Sequence, residues 1–209
     1  MDADAWDERY AAAELVWSHE PNQFVAAELA DLTPGVAVDL AAGEGRNALW
    51  LASRGWAATA VDFSQVALDK GARIAARAGL EVDWVCADAT AWEPASPVDL
   101  VVVAYLQLPA EERRRAVRGA YAMLRPGGTL LLVAHDSTNI AEGTGGPQDP
   151  AVLMTAEDVL GDLSGLDVEV LRAERVARVV GAPGGSGHHE HDGEETRTAW
   201  DCLVRVVRR

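Results

Sequence analysis

Cysteine is nearly absent from this chain of 209 residues: only Cys86 and Cys202 occur, each inside an apolar run. Two cysteines cannot build a disulfide scaffold, and the expected reading is a pair of buried, reduced thiols on strands. Basic side chains are scarce as well, 18 Lys and Arg against 33 Asp and Glu, for a formal net charge of −15. That balance repels phosphate backbones, so nucleic acid is not an expected partner. No apolar run approaches membrane-spanning length, and no membrane association is expected. Met1-Asp2-Ala3-Asp4 is acidic and lacks the apolar stretch of a secretory leader, which predicts a cytoplasmic protein. Internal repeats and interdomain linkers are missing too. With 49% hydrophobic residues, the length then suits a single α/β domain over residues 1–209.

What is present is organised around Val36-Ala37-Val38-Asp39-Leu40-Ala41-Ala42-Gly43-Glu44-Gly45-Arg46-Asn47. An apolar run stops at a glycine-rich turn, and the helical pattern Ala48-Leu49-Trp50-Leu51-Ala52 begins at once. That order predicts a buried strand, a tight turn and a helix N-terminus with unpaired N–H groups. Gly43 and Gly45 would let the backbone come close to a ligand.

The rest alternates between strand and helix. Trp56 to Val61 predicts a second strand, with Asp62-Phe63-Ser64 after it and a helix from the Ser64 cap to Ala78, closed by Gly79. Glu81 to Ala87 and Val98 to Ala104 predict further strands, the latter apolar enough for a central parallel position. Ala110 to Leu124 predicts a helix whose Arg113-Arg114-Arg115 run lies on an exposed face paired with Glu111. Arg125-Pro126-Gly127-Gly128 predicts a tight turn into the strand Thr129 to Ala134. Thr155-Ala156-Glu157-Asp158 has capping-box spacing with Asp in place of Glu. Val168 to Val180 and Thr198 to Val207 predict a closing hairpin, with an antiparallel strand at one edge of the sheet. Residues 1–32 predict a helical lid, with Trp6, Tyr10 and Trp17 either covering a pocket or packing the segment down. Residues 137–151 and 181–195 predict mobile loops near an acceptor pocket.

A doubly wound sheet places its ligand crevice outside the carboxyl ends of the strands. Gly43, Gly45, Asp62, Asp88, Tyr105 and His135 all fall there. Asp62 stands about twenty residues beyond the glycines, where a ribose expects its carboxylate. Asp88, with Ala89, is expected to hold an adenine amino group or else to cap a turn, and Phe63 to pack on the adenine face. Gly43 to Ala48 also fits the dinucleotide pattern G-x-G-x-x-A. Asp39 inside the strand and Glu44 between the glycines argue against a pyrophosphate and for a cationic nucleoside, S-adenosylmethionine (SAM).

The Asp39-to-Gly45 turn, Asp62, Asp88 and the Arg125-Pro126-Gly127-Gly128 turn resemble the class I SAM-dependent methyltransferases, over nearly the whole chain. Gly45-Arg46-Asn47 with Leu51-Ala52, and the early Trp6-x-x-x-Tyr10, are similar to the tellurite-resistance and thiol methyltransferase branch. Ala41 stands where that superfamily usually has its first glycine. The resemblance implies a Rossmann-like, doubly wound α/β fold in three α/β/α layers. Its seven strands would be mostly parallel with the last antiparallel, and SAM would lie over the first and fourth. It implies a cofactor site from Asp39, Ala41, Gly43, Gly45, Arg46, Asn47, Asp62, Phe63, Ser64, Asp88, Ala89 and Tyr105. Methyl transfer would be an in-line displacement onto a thiol, a chalcogen oxyanion, a halide or a hydroxylated metabolite. His135 is the candidate base for acceptors that need one, and Tyr105 could orient an acceptor.

His188-His189-Glu190-His191-Asp192 has metal-ligand chemistry, but adjacent histidines on a glycine-flanked loop lack a fixed geometry, and no metal is expected. Two alternatives stay open: a protein that binds SAM or its product without turnover, and an NAD-dependent oxidoreductase. Composition says nothing about oligomeric state.

Overall fold

The computed structural model describes residues 3–12, 20–180 and 196–209. Trp17 and the His188–His191 cluster lie outside the described residues. Seven strands form one sheet: β1 Val36–Leu40, β2 Ala57–Asp62, β3 Val82–Cys86, β4 Val98–Ala104, β5 Leu124–His135, β6 Val168–Val180 and β7 Arg197–Arg208. Their spatial order is β3-β2-β1-β4-β5-β7-β6. Pairs from β3 through to β5 are parallel, while β7 runs antiparallel to both β5 and β6. The expected antiparallel strand is therefore present, but one place in from the edge. Among the described residues, β6 holds the edge and pairs only with β7. Charged residues along it, including Glu169, Arg172, Glu174 and Arg175, suit a strand whose outer backbone meets solvent.

Helices α1 Ala3–Ala11, α2 Gln23–Leu29, α3 Arg46–Ser53, α4 Gln65–Ala78, α5 Ala110–Met123, α6 Asn139–Glu142 and α7 Ala156–Asp162 connect and cover the strands. Alternate strand residues feed two cores. Ala37, Leu100 and Val102 pack with Phe24, Leu51 and Leu68 beneath α2, α3 and α4. Val38, Val101 and Val103 pack with Val117, Tyr121 and Val159 beneath α5 and α7. This is the period-two division expected of strands buried on both faces. No helix among the described residues is long and apolar enough to cross a membrane.

Local signals act as read in several places. Ser64 Oγ accepts from the Ala67 N–H at 3.1 Å, and Gly79 closes α4 at φ 65°. Thr155 and Asp158 cap α7 reciprocally. Elsewhere tertiary structure overrides them. Arg113 is buried, not exposed: its Nε donates to Asp162 at 2.7 Å and clamps α5 to α7. Cys86 is exposed near the end of the edge strand β3, whereas Cys202 is fully buried. Arg125–Gly128 loops out within β5, because the register jumps from Val98–Leu124 to Leu100–Thr129. Residues 137–151, expected as a mobile loop, contain α6 and a 3₁₀ turn at Pro150–Val152. They are tied down where Trp200 N–H donates to Asn139 Oδ1 at 2.7 Å and Arg175 bonds Glu142 at 2.7 Å.

Candidate functional site

After β1 the chain turns to α3 on one face of the sheet, and after β4 it turns to α5 on the other. The adjacent exits of β1 and β4 thus open a crevice at the carboxyl edge, where such sheets bind ligands. Two residues at those exits, Ala41 (φ 57°) and Tyr105 (φ 60°), adopt the left-handed conformation without being glycine. Each costs on the order of 1–2 kcal/mol, and such outliers gather at ligand clamps. Ala41 thus sits where a glycine is easier to accommodate. Ala41→Gly is expected to raise the melting temperature by about 1–4 °C, which relief of about 0.5–1 kcal/mol would give in a chain of this size. A lower melting temperature would show that the Ala41 methyl contributes more by packing than it loses to strain.

Asp39 is almost completely buried. Its Oδ2 accepts the Ala48 N–H at 3.1 Å, while Oδ1 is buried without a hydrogen-bond partner. Burial pushes its pKa up to about 7, against the lowering effects of the Ala48 N–H, the Arg46 guanidinium and the Asn47 side chain. An orphaned carboxylate oxygen at the end of a central strand calls for a cation or a donor. Glu44 behaves differently from the sequence expectation. It turns inward, 3% exposed, with Lys70 Nζ at 3.4 Å, so its charge is met inside the protein.

Asp62 closes β2 and braces the turn. Its Oδ2 accepts Gly43 N–H at 2.8 Å and its Oδ1 accepts Ser64 N–H at 2.9 Å. Burial raises its pKa despite those two bonds, and Asp7 of α1 adds repulsion. Asp7 itself accepts from Ser64 Oγ, and Lys70 donates to the Tyr10 carbonyl, so α1 is moored to α4 beside Asp62. Trp6 and Tyr10 stack on one another at 5.5 Å.

Gly45 (φ 75°) is required for two reasons, its left-handed backbone and a close approach to protein. A Cβ there would lie 2.5 Å from the Trp84 ring, which also crowds Gly71. Arg46 opens α3 near Asp39 and Tyr105, and burial lowers its pKa against their opposing pull. Asn47 is buried and accepts the Asn22 N–H at 3.0 Å. Phe63 is half-buried beside Asp62. Asp88 is exposed, and its Oδ1 accepts both Thr90 N–H and Thr90 Oγ1–H at 2.8 Å, the local turn role left open by sequence. The Ala89 side chain belongs to the core.

Tyr105 sits within a polar network that sequence reasoning missed. Its hydroxyl donates to Asp201 Oδ2 at 2.8 Å and accepts from Asn22 Nδ2 at 3.2 Å. Burial and the neighbouring Asp201 raise its pKa, so it stays protonated and cannot serve as a base. Asp201 is fully buried and also accepts from Arg178 Nε at 2.7 Å. Burial alone would raise its pKa, but His135, Arg178 and Tyr105 together hold it below the usual carboxylate range. His135 Nδ1 lies 3.3 Å from Asp201 Oδ1, and its ring is 4.9 Å from that of Tyr105. The available signal was Asp201 itself, a lone acid in the otherwise apolar run from Ala199 to Val204. Asn22 also caps α2, its side chain accepting from the Phe24 and Val25 N–H groups. Among the described residues no cluster of metal-ligating side chains occurs.

The sequence profile of a family described as a methyltransferase domain matches residues 37–128, from β1 to the turn inside β5. A search of curated sequences returns no match. Among solved structures, TehB from Haemophilus influenzae superposes with a TM-score of 0.73 at 16% identity, covering 99% of this chain and 67% of that one. The N-methyltransferase NodS from Bradyrhizobium japonicum, in complex with S-adenosyl-L-homocysteine, gives 0.68 at 18% identity over 99% and 97%. The magnesium protoporphyrin IX methyltransferase ChlM from Synechocystis, with bound SAM, gives 0.61 at 14% identity over 99% and 79%. At these identities the likeness shows a shared architecture, the seven-stranded Rossmann-like fold.

Proposed function

We infer that this chain, whose residues 37–128 match the profile of a methyltransferase domain, is a class I SAM-dependent methyltransferase that binds SAM across the exits of β1 and β4. There it transfers the methyl group to a small molecule. The observation that carries the reading is the orphaned Oδ1 of Asp39 between two strained strand exits. A sulfonium nucleoside with its ammonium brings a donor and further positive charge to this buried carboxylate, whereas a dinucleotide would bring an anion to it. When bound, SAM supplies a methyl group on a positively charged sulfur, ready for in-line displacement.

The chain's own residues then position and dry the reactants. Asp62 keeps lone pairs for ribose hydroxyls beyond those used on Gly43 and Ser64. Gly43, Ala41, Arg46, Asn47, Ser64 and Phe63 form the surrounding wall, and Asp88 with Ala89 bounds the base. Holding the acceptor about 3 Å from the methyl carbon in a water-free crevice supplies much of the rate. With its hydroxyl engaged on both sides, Tyr105 shapes the crevice and leaves proton transfer to another group.

Calorimetric titration with SAM, S-adenosylhomocysteine and NAD tests the cofactor, and binding of NAD alone would overturn the reading. Radiolabelled transfer screened over thiols, chalcogen oxyanions, halides and hydroxylated metabolites tests turnover. Affinity for SAM with no transfer to any of them would favour a binding protein.

Helix α1 serves as a cover for this site, moored by Asp7 to Ser64 beside Asp62. Asp7→Ala, which frees the Ser64 hydroxyl and removes a carboxylate next to Asp62, is expected to change SAM affinity by two- to tenfold. Melting temperature should stay within about 2 °C, since the lost hydrogen bond is offset by the repulsion from Asp62 that goes with it. An unchanged dissociation constant would assign α1 to packing alone.

A further inference from the structure

The carboxyl edge holds one buried group that the cofactor does not explain. Asp201 gathers Tyr105, Arg178 and His135 on a single carboxylate, although a core strand position would be filled more easily by an apolar side chain. His135 ends β5 with its side chain 14% exposed, and its Nδ1 faces Asp201 Oδ1 at 3.3 Å. The contact is long and off the hydrogen-bond axis, as such pairs are before a reaction draws them tight. Gly146 lies over the face of the ring, where a Cβ would stand 2.9–3.0 Å from Cε1, Nε2 and Cδ2 alike. Gly146 has φ 77° and Gly145 φ 70°, so this stretch of chain is built to pass the imidazole without a side chain.

From this geometry we propose that Asp201 is a positioning residue that holds His135 with Nδ1 protonated and Nε2 as a free lone pair. The methyl acceptor is then a protic molecule that loses its proton to Nε2. This rests on the methyltransferase reading above and narrows its substrate class to compounds with an O–H, N–H or S–H at the reacting atom. The acceptor heteroatom forms its bond to the methyl carbon while the carbon–sulfur bond breaks. The sulfur keeps that electron pair, the acceptor's proton passes to Nε2, and water later removes it. Imidazolium so formed faces the Asp201 carboxylate from β7. The other charged or polar groups around it are Tyr105 from β4, Arg178 from β6, which is paired to Asp201, and Asp136, which is bonded to Thr138. A halide or a chalcogen dianion needs no such pair.

Two measurements test the assignment. Long-range proton–nitrogen correlation spectra of ¹⁵N-histidine-labelled protein, assigned with His135→Gln, should show the Nδ1–H tautomer for His135. Finding Nε2–H instead would overturn the proposal whether or not any acceptor is known. In parallel, catechol, 4-nitrophenol and dithiothreitol serve as protic probes, with iodide as the aprotic control. The expectation is that His135→Gln and Gly146→Ala lower kcat on a protic probe by about 10²-fold or more. KM for SAM should stay within twofold, and any iodide rate should be unchanged. Asp201→Asn should lower kcat about tenfold with the same split, and a wild-type circular dichroism spectrum guards against misfolding of that variant. Methylation of iodide alone by the wild type, or an undiminished protic rate in His135→Gln, would overturn it. Failure to bind SAM in the titration above would instead remove the underlying reading and leave the tautomer result standing.

Discussion

Asp39→Asn is expected to make the protein more stable at pH 8 and to remove most of its affinity for SAM. The folded state raises the Asp39 pKa from 3.8 to about 7. A group raised in this way binds more protons folded than unfolded, so stability falls as pH climbs between those values. Once Asp39 is fully ionised the accumulated cost is a few kcal/mol, about 4 at most. Asparagine keeps an oxygen for the Ala48 N–H and has no charge to bury. A melting temperature higher by about 5–10 °C at pH 8 is expected, with little difference near pH 4. SAM affinity should weaken at least tenfold, the effect of one lost charge contact of about 1.4 kcal/mol. In the wild type the bound cation favours ionised Asp39. Affinity should therefore rise with pH, up to tenfold per unit, until about pH 7 and then level off, while the variant shows no such slope. Scanning calorimetry and titration over pH 5–8 check both. A destabilised variant at pH 8, or one with wild-type affinity, would remove Asp39 from the cofactor site.

The second large effect is at Asp62. Replacing it by alanine leaves the Gly43 and Ser64 N–H groups without their acceptor. Two buried donors stranded in this way cost about 2–5 kcal/mol together. A melting temperature lower by roughly 5–15 °C follows, together with a loss of about 1.5–3 kcal/mol in SAM binding. Asp62→Asn separates the two contributions. Its remaining oxygen can brace one N–H and recover part of the stability, but the charge-assisted contact to the ribose is lost. Equal SAM affinity in wild type and Asp62→Ala, measured well below the melting temperature, would place the ribose elsewhere.

The elements whose signals are local were legible in the chain. Ser64, Gly79 and the Thr155–Asp158 pair act within a single turn, so their meaning does not depend on distant residues. The glycine turn after β1 and the acid ending β2 were legible for the same reason. What was hidden depended on who arrives from afar. Arg113 looks like its neighbours until Asp162, 49 residues on, meets it in the core. Glu44 was read as an anion set against a pyrophosphate, and the sequence did not show that Lys70 meets it. Gly45 was read as room for a ligand, and Trp84 places a second demand on it that the sequence did not show. Asn22, Tyr105 and Asp201 span almost the whole chain, and no periodicity announces a hydrogen-bonded path of that kind.

The placement of β7 between β5 and β6 bears on how the protein is made. Of the seven strands β7 is translated last, yet β6 has no other neighbour through which to join the sheet. The edge strand must wait until β7 has been made, as a free ribbon or in a hairpin with β7, before either can dock on β5. Asp201 rides on that late strand. Nascent chains that have finished the glycine turn therefore hold half a crevice, and only the closing segment delivers the carboxylate that Tyr105 and His135 meet.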